Sequence, residues 1–152
     1  MTELRRADAA DVPALQRIAS AAYSPYLSRM GGQRPGPLDA DYAAAVATSE
    51  TWVACVDGPP VGFLVLADDP TDDDALVLDN VAVLPAHHGT GIGRALLGLA
   101  EDRAIARGCR RIRLFTHVTM VENRALYEGI GYVETHRGGE AGLVRVFYEK
   151  AL

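Results

Sequence analysis

Apolar and polar positions alternate with different periods along the chain, and each change of period marks an element. Glu3 to Arg6 reads as a short strand. Asp11, with Pro13 just inside, opens a helix in which Val12, Leu15, Ile18 and Ala19 recur at helical spacing. Tyr23 to Pro37 is rich in Gly, Pro, Tyr and Arg and reads as a long loop. Asp39 and the alanine-rich segment Ala40 to Thr48 follow as a second helix. Trp52 to Val56 and Val61 to Ala67 are β-rich runs separated by Asp57-Gly58-Pro59-Pro60, which predicts two antiparallel strands.

Beyond the acidic stretch Asp68 to Asp74 comes the longest apolar run, Leu76 to Leu84, broken only by Asp79 and Asn80. A central strand covered on both faces explains the run, and the polar pair inside it requires a reason. Ile92, Leu96, Leu99 and Ala100 share one face of a helix that begins near Arg94 and ends at Gly108, where glycine supplies a left-handed stop. Arg111 to Thr116 is the next strand, and the right-handed crossover rule makes it parallel to the strand before the helix. Glu122 to Glu128 is a short helix closed near Gly129 or Gly131, and Tyr132 to His136 and Leu143 to Glu149 are the last strands. No repeat, low-complexity tract or composition break divides the sequence, so residues 1 to 152 are expected to form a single domain.

At 49% hydrophobic and 23% charged residues, the 152-residue chain has enough apolar material for a sizeable core. Its net charge of -5 argues against nonspecific contact with nucleic acid or an anionic membrane, so any phosphate must be held by a local arrangement. Cys55 and Cys109 have neither metal-ligand nor disulfide-framework spacing, and Met1 to Ala10 carries no apolar signal core; a reducing cytoplasm is the expected compartment. No metal is expected.

The chemistry concentrates at His88-Gly89-Thr90-Gly91-Ile92-Gly93, between the long apolar strand and the helix that follows it. Glycines let the chain turn tightly and let a ligand approach bare backbone, while the opening of a helix adds unpaired N–H groups and the positive end of its dipole. An anion, and naturally a phosphorylated cofactor, suits such a junction. A P-loop would need Lys-Ser or Lys-Thr after the last glycine, where Arg94-Ala95 stands. A dinucleotide fold would want Gly-x-Gly-x-x-Gly and an acidic end to the next strand, where Thr116-His117 stands.

Together with Asn80-Val81-Ala82-Val83-Leu84-Pro85 before it and Arg94-Ala95-Leu96-Leu97 after it, this block resembles the signature of the GNAT superfamily of N-acetyltransferases. A second block, Glu122-Asn123-Arg124-Ala125-Leu126-Tyr127-Glu128-Gly129-Ile130-Gly131-Tyr132, resembles the family's later motif, in the right order. His88 stands where the family prefers Gln or Arg; its imidazole can donate one hydrogen bond to a phosphate, more strongly when protonated.

The resemblance implies an α/β (α+β) fold with a mixed, mostly antiparallel central sheet of about six to seven strands, a parallel central pair splayed around the cofactor, and helices on both faces. It implies acetyl-CoA as co-substrate. The diphosphate would lie on the amides of residues 88 to 93, with Arg94 alongside, and the pantetheine arm would pair with main chain near Val81 and Val83. An N–H of Val81 or Ala82 would stabilise the developing oxyanion. Tyr127 matches the family tyrosine near the cofactor sulfur and would act as general acid; without the resemblance it reads as a packing residue. Asn123, four positions earlier on the same helix, either reaches the pantetheine or caps the helix.

For the base, two groups stand open. Asp79 interrupts an apolar strand, so it is either hydrogen-bonded for structure or placed for proton transfer. His117, at the C-terminal end of the next strand, is either a base or a loop histidine. Acceptor selection is expected from Tyr23, Tyr26, Arg29 and Arg34 in the long loop and from the turn Gly138 to Gly142. Arg29 or Arg34 would clamp a carboxylate, or Glu140 and the Asp68 to Asp74 stretch would attract a cation. The expected reaction moves acetyl from acetyl-CoA to a primary amine, favouring a small molecule; a protein terminus or lysine, and a non-catalytic acetyl-CoA sensor, are the alternatives. The last strands could pair or swap between subunits in a homodimer.

Overall fold

The computed structural model describes residues 1–139 and 144–152. Seven strands form one sheet: β1 (Thr2–Arg6), β2 (Glu50–Val56), β3 (Pro60–Asp68), β4 (Ala75–Val83), β5 (Arg111–His117), β6 (Val133–Gly138) and β7 (Arg145–Ala151), in the order β1-β2-β3-β4-β5-β7-β6. Among the described residues four α-helices accompany them: α1 (Val12–Tyr23), α2 (Tyr42–Thr48), α3 (Ile92–Ala106) and α4 (Val121–Gly129). Every adjacent strand pair is antiparallel except β4 and β5, which are parallel across the α3 crossover, as the handedness argument requires. Among the described residues no helix is long and apolar enough to cross a membrane.

Two cores sandwich the sheet. Leu15, Ile18 and Ala19 of α1 and Tyr42 of α2 pack on Val53, Cys55, Phe63 and Val65; on the other face Ile92, Leu96, Leu97 and Ala100 of α3 and Tyr127 of α4 pack on Ala54, Leu64, Leu66, Leu76 and Ile112. Helix α3 starts at Ile92, ahead of Arg94, and Leu97 is fully buried while Leu99 is only partly so. Gly108, at φ 77°, ends its turn as expected.

Several sequence expectations shift by local competition for polar groups. Asp11 stands before α1, but its side chain bonds none of that helix's amides: Arg5 grips the carboxylate at 2.8 and 2.9 Å, and it also accepts Asp8 N–H at 2.9 Å, closing a capping box with Asp8, whose own side chain accepts from Ala10 N–H. Helix α2 begins at Tyr42, capped by Asp41 rather than Asp39, which is paired with Arg34 instead. The final strand begins at Arg145, and its expected first residue, Leu143, lies outside the described residues.

The decisive irregularity is in β4. Val65 pairs with Asn80 and Leu66 with Leu78, so Asp79 is an extra residue, a β-bulge. A one-residue slip exchanges the faces of a strand. Leu76 and Leu78 accordingly join the α3 core, whereas Asn80 turns toward α1 and Ala82 joins the α1 core, and Val81 and Val83 pack on the α3 side. The apolar run is thus covered on both faces in two phases. The bulge bends β4 away from its parallel neighbour: their pairing ends at Val77↔Arg113, while β5 continues to His117 against β7. A cleft opens from there.

Candidate functional site

The cleft has two lobes sharing Val81, Asn123 and Tyr127. One, of about 460 Å³, lies beside the glycine loop and is lined by Val81 to Val83, His87 to Gly89, Gly93, Tyr26, Arg29 and Leu126. The other, of about 300 Å³, lies between β4 and β5 and is lined by Leu78 to Val81, Leu114 to His117, Arg145, Arg34 and Tyr23.

In the loop, Gly89 and Gly91 take φ values of 77° and 90°, a left-handed backbone that a side chain strains by about 1–2 kcal/mol. Left-handed residues alternating with ordinary ones are the backbone pattern that gathers neighbouring amides into an anion-binding concavity. Among the described residues, no N–H from Gly89 to Arg94 meets a backbone or side-chain acceptor, whereas His88 N–H is used by the Pro85 carbonyl at 3.1 Å. The donor run therefore spans residues 89 to 94, one position later than the sequence motif suggests. Thr90 contributes its amide, while its hydroxyl donates to the His87 carbonyl. Ile92 N–H and Gly93 N–H stand at the positive end of the α3 dipole. The His88 ring sits with Nε2 2.9 Å from the Val83 carbonyl, which sets Nε2 as the protonated nitrogen.

Leu84 N–H bonds the Val61 carbonyl at 2.8 Å, and antiparallel alternation from that bond turns the main-chain groups of Ala82 toward β3 and those of Val81 and Val83 away from it. Beyond Val77 no strand among the described residues occupies that edge. Val81 and Val83 therefore present free N–H groups to the cleft; Ala82, committed to β3, does not. The Val81 carbonyl accepts the Tyr23 hydroxyl at 2.9 Å.

Tyr23 is bound into a buried network. Its hydroxyl also contacts Asn80 Oδ1 at 2.9 Å, Asn80 Nδ2 donates to the Tyr42 hydroxyl at 3.0 Å, and Tyr42 donates to the Pro37 carbonyl at 2.6 Å. This explains Asn80: it is the polar tie between the bulge, both helices of the α1 face and the loop. Burial pushes the Tyr42 phenol up to about 12 and raises that of Tyr23, so both remain donors.

Asp79 carries no hydrogen bond among the described residues. It is exposed, not buried as the apolar run suggested, because the bulge turns it into the cleft. The cleft wall beside it removes part of its hydration, and that desolvation raises its pKa above the ordinary carboxylate value. His117, only 8% exposed, accepts Thr119 N–H at 3.2 Å on Nδ1, which also lies 2.7 Å from the Thr119 hydroxyl. Its neutral ring then carries the proton on Nε2, which has no partner among the described residues. Burial and the Arg145 charge lower its pKa, keeping the ring neutral.

Tyr127 is 6% exposed, edge-on to Tyr132 with ring centroids 5.9 Å apart. Desolvation raises its pKa, and its hydroxyl makes no hydrogen bond among the described residues. Asn123 lies inside the first turn of α4 and does not cap it; its side chain borders both lobes. Tyr26 and Arg29 stand on the glycine-loop lobe: Arg29 pairs with Glu122 at 2.9 Å, lies over the Tyr26 ring at 5.0 Å, and holds the Glu122 carboxyl down to about 2. Arg34 reaches the β4–β5 lobe but is doubly bonded to Asp39. The acidic stretch is elsewhere, its Asp68, Asp69 and Asp72 paired with Arg107, Arg113 and Arg111. Glu140, and with it most of the Gly138 to Gly142 turn, lies outside the described residues. Among the described residues no cluster of His, Cys, Asp and Glu is placed to hold a metal. Sequence reading missed Arg145, which borders the β4–β5 lobe; an arginine in an edge-side strand looks solvent-facing until the topology sets it beside His117.

A family model described as Acetyltransferase (GNAT) family matches residues 13–132. Among solved structures, the paia N-acetyltransferase of Thermoplasma acidophilum, in complex with coenzyme A, superposes with TM-score 0.85 at 16% identity, covering 100% of this chain and 99% of that one. A GNAT-family protein of Desulfovibrio desulfuricans gives 0.82 at 19% identity, covering 99% of each chain. The yncA protein of Salmonella typhimurium, solved with its cofactor acetyl-CoA, gives 0.72 at 22% identity, covering 99% of this chain and 94% of that one. Comparison with curated proteins returned no match.

Proposed function

The chain belongs to the GNAT family of acetyltransferases, and from that premise we propose that it transfers acetyl from acetyl-CoA to the primary amine of a small molecule by direct attack in a ternary complex, as one domain spanning residues 1 to 152. The observation that carries the reading is the unpaired amide run from Gly89 to Arg94 beside a splayed β4–β5 pair. That run suits a diphosphate; the free N–H of Val83 suits an amide carbonyl of a pantetheine arm, with Asn123 alongside. Bound there, the cofactor supplies an activated acetyl thioester.

This chain's residues then have distinct tasks. Val81 N–H stands where it can donate to the carbonyl oxygen as negative charge builds. Asp79, unbonded and with a raised pKa, takes a proton from the acceptor ammonium, directly or through water. His117 is less suited, because its unprotonated Nδ1 is already held by Thr119. Tyr127, kept protonated by burial, donates its Oη proton to the leaving sulfur. The β4–β5 lobe, walled by the Tyr23 to Pro37 loop, supports a small acceptor over a protein chain. Two free cysteines suit a reducing cytoplasm, and the exposed β6 edge suits pairing in a homodimer.

An amine panel assayed by thiol release from acetyl-CoA, paired with calorimetric cofactor binding, tests the proposal. Release with small amines is expected. Binding without release from any amine would make the chain a sensor, and release with peptides alone would make it a protein acetyltransferase.

A further inference from the structure

The β4–β5 lobe carries an unbalanced pair of charges. Of the charged side chains lining it, Arg34 is neutralised by its double bond to Asp39 and His117 is neutral. Asp79 and Arg145 remain. Arg145 has no acidic partner among the described residues; its guanidinium lies over the Phe115 ring at 5.0 Å. Stacking on a ring engages the flat face of a guanidinium and leaves its edge, where the N–H donors are, to be satisfied by something else.

Topology puts the two charges on opposite walls. Asp79 is the bulge of β4, and Arg145 is level with His117 at the end of β5, four residues beyond the last β4–β5 pair at Arg113. Each charge alone in a partly desolvated cleft is costly, and one ligand carrying both opposite charges relieves both.

We propose that the acceptor is an amine that also bears a carboxylate, an amino-acid-like zwitterion whose carboxylate is taken by the Arg145 guanidinium across the cleft from Asp79. The ammonium end then lies at Asp79, and the carboxylate meets the Arg145 fork through two parallel N–H···O bonds. A lobe of about 300 Å³ has room for a molecule of that size. This deepens the small-molecule transferase reading and rests on it.

The test uses paired amines, glycine, β-alanine and α-amino acids beside their amides, in the thiol-release assay, together with calorimetric binding of the same compounds to the coenzyme A-loaded protein. The wild type should prefer the carboxylate member of each pair about tenfold or more, and Arg145→Gln should abolish the preference while leaving the acetyl-CoA dissociation constant unchanged. Arg145→Lys, which keeps the charge but not the fork, should retain only part of it. Equal or better use of the amides, or a preference that survives Arg145→Gln, overturns the inference while the small-molecule reading stands. Turnover of peptide amines alone overturns both. Arg145-dependent binding of the carboxylates without thiol release supports the assignment of Arg145 and removes the transferase reading.

Discussion

Asp79 and Tyr127 show how loss of hydration has opposite uses on two side chains. Desolvation raises both pKa values, making the carboxylate a better base near neutral pH and keeping the phenol a donor. A base works only when deprotonated, so kcat/KM should rise with pH through the Asp79 titration, displaced above the ordinary aspartate value of about 3.9. Asp79→Asn should remove that rise and lower kcat/KM by about 10²-fold or more, checked by pH–rate profiles of the two proteins. Tyr127→Phe should lower turnover while changing the acetyl-CoA dissociation constant little, measured by calorimetry; unaltered turnover would leave it as a packing residue. His88 poses a different question. With Nε2–H on the Val83 carbonyl, its Nδ1 is an acceptor when neutral and can donate to phosphate only after protonation. His88→Gln, which places a side-chain amide donor there, should therefore tighten acetyl-CoA binding, measured by calorimetry.

The β4 strand is the element on which the site depends. Its bulge turns Asp79 into the cleft, frees the edge carrying Val81 and Val83, and is tied down by Asn80 through the Tyr23 and Tyr42 hydroxyls. Replacing Asn80 with Ala leaves buried hydroxyls short of partners. A loss of about 1–3 kcal/mol in urea unfolding is expected, with turnover falling further than the stability loss alone explains. The preceding helix tells a related story at lower stakes: Asp11 opens α1, but its carboxylate is held by Arg5 from β1 and by Asp8 N–H, not by the amides of α1. Caps read from sequence compete with partners that only the sheet brings near.

At the scale of the whole molecule, the glycine-loop lobe spans β4, the loop before α3, and α4, so a ligand there joins parts distant in sequence. Acetyl-CoA at a hundred times its dissociation constant should add about 2.7 kcal/mol of stability, a rise of roughly 5–10 °C in Tm for a chain of this size. Melting curves with and without acetyl-CoA check this, and no shift at saturating ligand would count against the lobe as the cofactor site.

The periodicity of Leu76 to Leu84 and the glycine loop were enough to read the β–loop–α junction, the parallel pair and the family resemblance, because backbone direction and local hydrogen bonding follow from neighbours in sequence. The phase flip at Asp79, the engagement of Arg29 and Arg34 with Glu122 and Asp39, and the place of Arg145 in the cleft were not readable. Each depends on which strand lies beside which and on which charge arrives at a partner first. Those are properties of the packed sheet, since a side chain's free donors are known only after every nearer acceptor has been counted.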